Sequence, residues 1–228
     1  MVYANITAFF YGLKWRQMTR TITAMTAQKR HKDRVNLFLD GEFAFGLTLF
    51  AAASLRIGQQ LSDADIEQLR LENDYEEAKN RAFNFITYRP RSERELRQNL
   101  AKKEYSEATV ERVIATLKRL EMLDDRAFAR YWVEQRDNFK PRSNMALRQE
   151  LAQKGIASNI VDEVLAPRDD NQAAAEAAAK RTGRWSHLPR EEFALKMMRY
   201  LQGRGFGYGI CREVVDEIWE TLQTEESN

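Results

Sequence analysis

The feature that most restricts what this chain can become is an internal period of about fifty residues. Leu96, Leu100, Lys103, Glu104, Tyr105, Val110 and Val113 return 51 positions later as Leu147, Leu151, Lys154, Gly155, Ile156, Val161 and Val164. A further 50 positions give Met197, Leu201, Arg204, Gly205, Phe206, Cys211 and Val214. Such a chain is built from copies of one supersecondary unit, each too small to bury its apolar face alone, so neighbouring copies stack end to end. Inside a copy the spacing is helical. Asn73-Asp74, Asp124-Asp125 and Asp169-Asp170 supply side chains suited to capping a first helix. A second helix is expected from about Ser92, Ser143 or Pro189, with apolar residues four apart. A basic residue then closes the last turn, favoured by the helix dipole, and Gly155 or Gly205 provides the left-handed residue that reverses the chain. A third helix buries Val110/Val113, Val161/Val164 or Cys211/Val214. The first copy has Glu104 at the glycine position, where a left-handed Cβ costs about 1 kcal/mol, so a different turn is expected there.

The fold class that follows is mainly α: three tandem three-helix repeats in an elongated array, preceded by a small β-hairpin-containing N-terminal cap. The repeats are expected over 73–123, 124–168 and 169–228, the last with an acidic C-terminal tail, and the cap over 29–72. In the cap, Val35, Leu37 and Leu39 alternate with Asn36 and Phe38, Asp40-Gly41 intervenes, and Phe43 and Phe45 alternate with Glu42 and Ala44. Asp-Gly between alternating strands suits a type I′ turn, which needs positive φ at both central residues. Leu47–Leu55 has room for a short strand or helical turn before Gly58. Ser62, with Asp65 three residues on, caps a short helix reaching about Glu72. Residues 1–28 carry Lys14, Arg16 and Arg20 but no acid, and read as a disordered leader or a start-site artefact, with Met18 and Met25 as alternative starts.

Chemistry of the chain's own is not expected. One cysteine, Cys211, excludes a disulfide framework, and His31 and His187 stand too far apart in sequence to suggest a metal site, so no metal and no cofactor are called for. Cys211 aligns with Val110 and Val161 and reads as a core thiol. The run Gly203, Gly205, Gly207, Gly209 fits neither G-x-G-x-x-G frame, since the third position falls on Tyr208 or Ile210. Asp124-Asp125 reads as a cap, and Trp132, Trp185 and Trp219 as packing. No run of about 18 uncharged apolar residues occurs, which points to a soluble, cytoplasmic protein and no membrane partner.

Charge is balanced in total, 36 basic against 34 acidic residues, but sorted along the chain. Residues 89–119 hold nine basic and five acidic side chains and 180–212 hold eight and two, whereas 62–78 hold one and seven and 213–228 only acids. On the second helix of the first repeat, Arg91, Arg94 and Lys102 fall opposite Leu96 and Leu100 at 100° per residue. Arg142 is the equivalent of Arg91, and Lys196 and Arg199 also point outward. Arg89, Arg91, Arg94, Arg97 and Lys102 with Arg142, Arg148, Lys196, Arg199 and Arg204 form the candidate surface for a polyanion or an acidic groove.

Four strings carry a family likeness: Arg89-Pro90-Arg91-Ser92-Glu93-Arg94-Glu95-Leu96, Leu123-Asp124-Asp125-Arg126-Ala127-Phe128-Ala129, Leu147-Arg148-Gln149-Glu150-Leu151-Ala152-Gln153-Lys154-Gly155-Ile156 and Tyr200-Leu201-Gln202-Gly203-Arg204-Gly205-Phe206. In series they resemble the signature segments of the RecX regulatory family over about 73–222, and the cap resembles the N-terminal extension of part of that family. Glu104 departs from the usual glycine. The resemblance implies a monomeric, non-enzymatic modulator of the RecA recombinase that lies in the groove of the RecA filament on single-stranded DNA. It would there inhibit filament growth, ATP hydrolysis, strand exchange and cleavage of the SOS repressor, with single-stranded DNA met directly or through RecA. The competing readings are a stand-alone nucleic-acid-binding helical repeat protein that acts by occupying DNA, and a helical scaffold for an unrelated partner.

Overall fold

The computed structural model describes residues 19–29 and 33–226. The chain forms two compact units, one of residues up to Asn84 with Lys103–Val113, the other of Phe85–Lys102 with Ile114 onward.

The first unit holds a four-stranded antiparallel sheet of β1 (Thr19–Ala27), β2 (Arg34–Leu39), β3 (Glu42–Thr48) and β4 (Gln60–Ser62), in the order β3-β2-β1-β4. Asp40 and Gly41 have φ of 53° and 87°, the pair of positive angles a type I′ turn needs, and Leu39 faces Glu42 across it. Val35, Leu37 and Leu39 are buried in alternation with their neighbours. On β3 the alternation breaks, because Leu37 pairs with Phe45 and Phe38 with Phe43, leaving Ala44 as an extra residue. Phe43 is thereby turned outward, 60% exposed and edge-on to Phe38. A single turn, α1 (Leu49–Ala52), is capped by Thr48. Ser62 and Asp65 form the reciprocal capping pair, amide to hydroxyl at 3.2 Å and amide to carboxylate at 2.8 Å, at the start of α2 (Asp63–Thr87).

Two expectations fail here. Residues 19–27 are not leader but strand β1, whose Ile22 is fully buried; residues 1–18 lie outside the described residues. Nor does a helix stop at Glu72 and another begin at Asn73, so the 72/73 boundary falls inside α2, which runs on through Asn73-Asp74. No glycine or proline interrupts 63–87. Asn73 uses its capping chemistry in a tertiary bond: its buried Oδ1 accepts the Thr48 amide at 2.7 Å.

Beyond α2 come α3 (Glu93–Leu100), α4 (Glu107–Arg119), α5 (Asp125–Phe139), α6 (Asn144–Gln153), α7 (Ser158–Leu165), α8 (Asp170–Trp185), α9 (Arg190–Gln202) and α10 (Tyr208–Glu226). The second helices of the three copies have Ser92, Ser143 and Pro189 as their N-caps. The second and third copies, both in the second unit, each have a separate core. In one, Phe128 and Val133 meet Leu147, Leu151, Ile156, Val161 and Leu165. In the other, Ala174, Ala177 and Ala178 meet Phe193, Met197, Leu201, Phe206, Cys211 and Val214. Helix α8 uses alanine on its inner face, which lets the larger Phe193 and Met197 close against it. Cys211 is fully buried, and burial pushes its thiol above the ordinary range. The acidic C-terminal stretch is not a tail. Within 213–226 it continues α10, and Val214, Val215 and Trp219 pack on the core.

The reversals follow the glycine pattern. Gly155 and Gly205 have φ of 82° and 91°. Ile156 donates to the Leu151 carbonyl and Gly155 to Ala152, and Phe206 and Gly205 repeat both bonds to Leu201 and Gln202, the paired bonding of a Schellman turn. The first copy closes otherwise, with the Tyr105 amide on the Lys103 carbonyl and Glu104 outside the left-handed region.

Candidate binding surface

In the second unit one junction is built twice. Of each aspartate pair, only the first caps its own helix: Asp124 accepts from the Arg126 amide and Asp169 from the Asn171 amide, both at 2.8 Å. The second serves the preceding copy. Asp125 accepts from the first amide of α3, Glu93, at 2.8 Å, and Asp170 from the first amide of α6, Asn144, at 2.7 Å. Burial pushes the Asp125 carboxyl above its ordinary value, against the bond from the Glu93 amide. The turn glycines sit against the start of the preceding second helix. A Cβ on Gly155 would lie 2.8 Å from the Arg94 Cβ, and one on Gly205 would lie 2.6 Å from the Ser143 hydroxyl and 2.9 Å from the Ala146 Cβ. The basic residue before each glycine completes the contact: Lys154 reaches Glu95 at 2.6 Å, and Arg204 reaches the Pro141 carbonyl at 3.1 Å.

Partners within the chain, at the junctions or inside a single copy, absorb six of the ten candidate cations. Arg89 grips Glu95 through both terminal nitrogens, at 3.1 and 3.2 Å. Burial works against the Glu95 charge, but the bonds from Arg89 and Lys154 more than offset it and hold its carboxyl below the ordinary range. Arg91 lies 4.0 Å over the Phe85 ring and donates to the Phe85 carbonyl, and burial lowers its pKa. Arg97 pairs with Glu93 at 2.7 Å, Arg142 with Glu150 at 3.0 Å, and Arg148 with Asp162. Arg204 also lies 4.4 Å from the Tyr200 centroid. The remaining four, Arg94, Lys102, Lys196 and Arg199, are exposed and make no ion pair among the described residues. Helical phase misplaced Arg91, and does not govern the exposed Lys102, for a simple reason. Helix α3 covers only Glu93–Leu100, with Ser92 and Ala101 as its caps, so both lie beyond the helix.

Sequence reasoning missed Lys154 and Arg168 as organising cations. The Arg168 side chain is 9% exposed, and its guanidinium joins Asp137, Asp170, Asn144 and the Arg142 carbonyl at the second junction. The signal for Lys154 was its place before the repeated glycine; Arg168, one residue before Asp169-Asp170, has no such periodic mark. Among the described residues no group of His, Cys, Asp and Glu is arranged to hold a metal, and no helix is long and apolar enough to cross a membrane.

A β-bearing cap followed by three-helix units joined through shared caps defines a helical tandem-repeat protein. Comparison with known proteins gives the family. The RecX N-terminal domain matches residues 20–62, and the first, second and third RecX three-helix domains match 78–117, 124–165 and 169–215. The regulatory protein RecX of Clostridium acetobutylicum is 31% identical over 208 residues, covering 87% of this chain and 96% of the relative. That of Bacillus subtilis is 29% identical, covering 86% and 76%. A crystal structure of regulatory protein RecX superposes with a TM-score of 0.63 at 25% identity, covering 86% of this chain and 99% of that one. RecX from Lactobacillus salivarius, at 24% identity and a TM-score of 0.55, shares the fold over 64% of this chain. The chain belongs to the RecX family of regulatory proteins.

Proposed function

We propose that the chain is a non-enzymatic, cytoplasmic regulator of RecA, acting as a monomer without a cofactor. On this reading it binds in the groove of the RecA filament on single-stranded DNA and inhibits filament growth, ATP hydrolysis and strand exchange. The observation that carries the reading is the full series of four RecX domains in one chain. On this reading the ten candidate cations fall into two groups. Arg94, Lys102, Lys196 and Arg199 are exposed and available to an acidic or phosphate-lined partner. Arg89, Arg91, Arg97, Arg142, Arg148 and Arg204 already have partners inside the chain, most within their own copy, and are less available to such a partner.

The test is RecA ATPase on single-stranded DNA with this protein well below the RecA concentration. A filament regulator inhibits at that ratio, whereas a protein that merely occupies DNA must approach the number of DNA sites. Replacing Arg94, Lys196 and Arg199 together by Glu is expected to raise the half-inhibiting concentration by about tenfold or more, because a matched charge becomes a repelled one. Full inhibition by that triple variant removes these residues from the binding surface, and inhibition only near DNA saturation favours the stand-alone DNA binder.

A further inference from the structure

The repeat alignment extends upstream of the second helices. Four residues before the N-caps Ser92, Ser143 and Pro189 stand Tyr88, Phe139 and Trp185, an aromatic in every copy. In the first two copies the intervening residues also correspond, Arg89-Pro90-Arg91 and Lys140-Pro141-Arg142. Both rings stand in water: Tyr88 is 87% exposed and Phe139 73%. A single exposed ring calls for no explanation, but the same ring at the same repeat position, with a cation and a proline after it each time, is a recurring device. A proline disfavours a helical conformation in the residue before it, and α5 accordingly ends at Phe139 with Lys140 as its C-cap, φ −147° and ψ 71°.

The surroundings of the rings are cationic. Arg91 is held against Phe85 in the first copy. In the second, Lys180 donates to the Asp137 and Asn138 carbonyls at 3.1 and 2.6 Å, immediately before Phe139, and Lys140 is exposed just after it. The third copy differs in both respects. Trp185 is half-buried with its ring edge-on to Tyr200 at 5.8 Å, and Ser186-His187-Leu188 replaces the basic tripeptide. Ring exposure and following charge are therefore kept together or lost together.

A flat ring open to solvent and bracketed by cations is the chemistry that receives an unpaired base and its phosphate. A duplex offers no base face for stacking, so the strand that fits is a single one. We infer that Tyr88 and Phe139 are stacking platforms for the bases of a single nucleic-acid strand, one in each of the first two repeats, with the exposed Lys140 beside Phe139 free to meet a phosphate. This is a direct contact of the chain with the strand and does not rest on the filament reading.

The test uses the full chain without RecA and a fluorescein-labelled oligothymidine, read by anisotropy. Tyr88→Ala and Phe139→Ala are each expected to weaken binding on the order of tenfold. The slope of affinity against salt stays that of the parent, because no charge is removed. Tyr88→Phe and Phe139→Tyr keep parental affinity, and far-UV circular dichroism stays unchanged throughout. As a second measurement, Tyr88→Trp and Phe139→Trp place an indole at each site, and the strand is expected to quench each one. Parental affinity in both alanine variants overturns the inference, as does absence of quenching at both sites. Alanine variants that bind the strand normally but no longer inhibit RecA place the rings against protein and overturn it too. Lost strand binding with RecA inhibition intact upholds it and shows that the filament reading stands or falls separately.

Discussion

The junction between the second and third copies makes a quantitative demand on Gly205. Its φ of 91° is strained for any residue with a Cβ, and that strain in Gly205→Ala is worth about 1 kcal/mol. The new methyl would also lie 2.6 Å from the Ser143 hydroxyl, which cannot remain where it is. That hydroxyl is the N-cap acceptor for the Ala146 amide at 3.1 Å, and a lost serine cap costs about 1 kcal/mol more. Gly205→Ala should therefore destabilise the chain by about 2 kcal/mol. Gly183→Ala is the matched control. Gly183 lies within α8 with no positive φ and nothing within 4 Å of where the methyl would stand, so alanine should gain about 0.5–1 kcal/mol there. Urea unfolding followed by circular dichroism, with tryptophan fluorescence as a second probe, measures both. In a Ser143→Ala background the cap is already absent, so the cost of Gly205→Ala should fall by about 1 kcal/mol. The same cost in both backgrounds, or a Gly205→Ala variant as stable as its parent, refutes the account of this junction.

Two carboxylates of the first junction should respond to pH in opposite senses. Glu95 has a lowered pKa, so its contribution is complete above the unfolded value and disappears as pH falls through the folded one. Glu95→Gln should cost about 1–2 kcal/mol near neutral pH, with the gap to the parent closing in acid, as read by urea midpoints across that range. Asp125 has a raised pKa, so its contribution is present below the unfolded value and lost as pH rises through the folded one. Asp125→Asn keeps an oxygen for the Glu93 amide and should match or exceed the parent near neutral pH, losing that advantage in acid. Asp125→Ala, which leaves the amide without its acceptor, should cost about 1 kcal/mol in acid and less near neutral pH.

What could be read from the sequence was what local rules and repetition determine. Asp40-Gly41 specifies its own turn, Ser62 its own cap, and three aligned copies supply the second-helix caps and the two reversal glycines. Strand β1 escaped notice because Thr19–Ala27 buries a single residue completely, Ile22, and shows no apolar alternation. The continuity of α2 was hidden by Asn73, whose side chain fits a helix start but is drawn to Thr48, 25 residues away. The basic surface was legible only as a set of cations. Helical phase gives the side of a helix on which an arginine leaves the backbone, but the Glu95–Lys154 bond spans 59 residues and has no local signature. Ion pairs of that kind separate a structural arginine from an available one, and they exist only once the copies are packed.

The division of labour within the aspartate pairs changes where the chain may be cut. An alignment of the copies invites division between Arg168 and Asp169, yet a fragment ending there leaves Asn144 at the head of α6 without its acceptor, Asp170. It also deprives Arg168 of one of its carboxylates. Anyone excising, shuffling or multiplying the first two copies should carry the two aspartates of the following copy along with each module, because each of these copies finishes its own architecture with a side chain borrowed from the next.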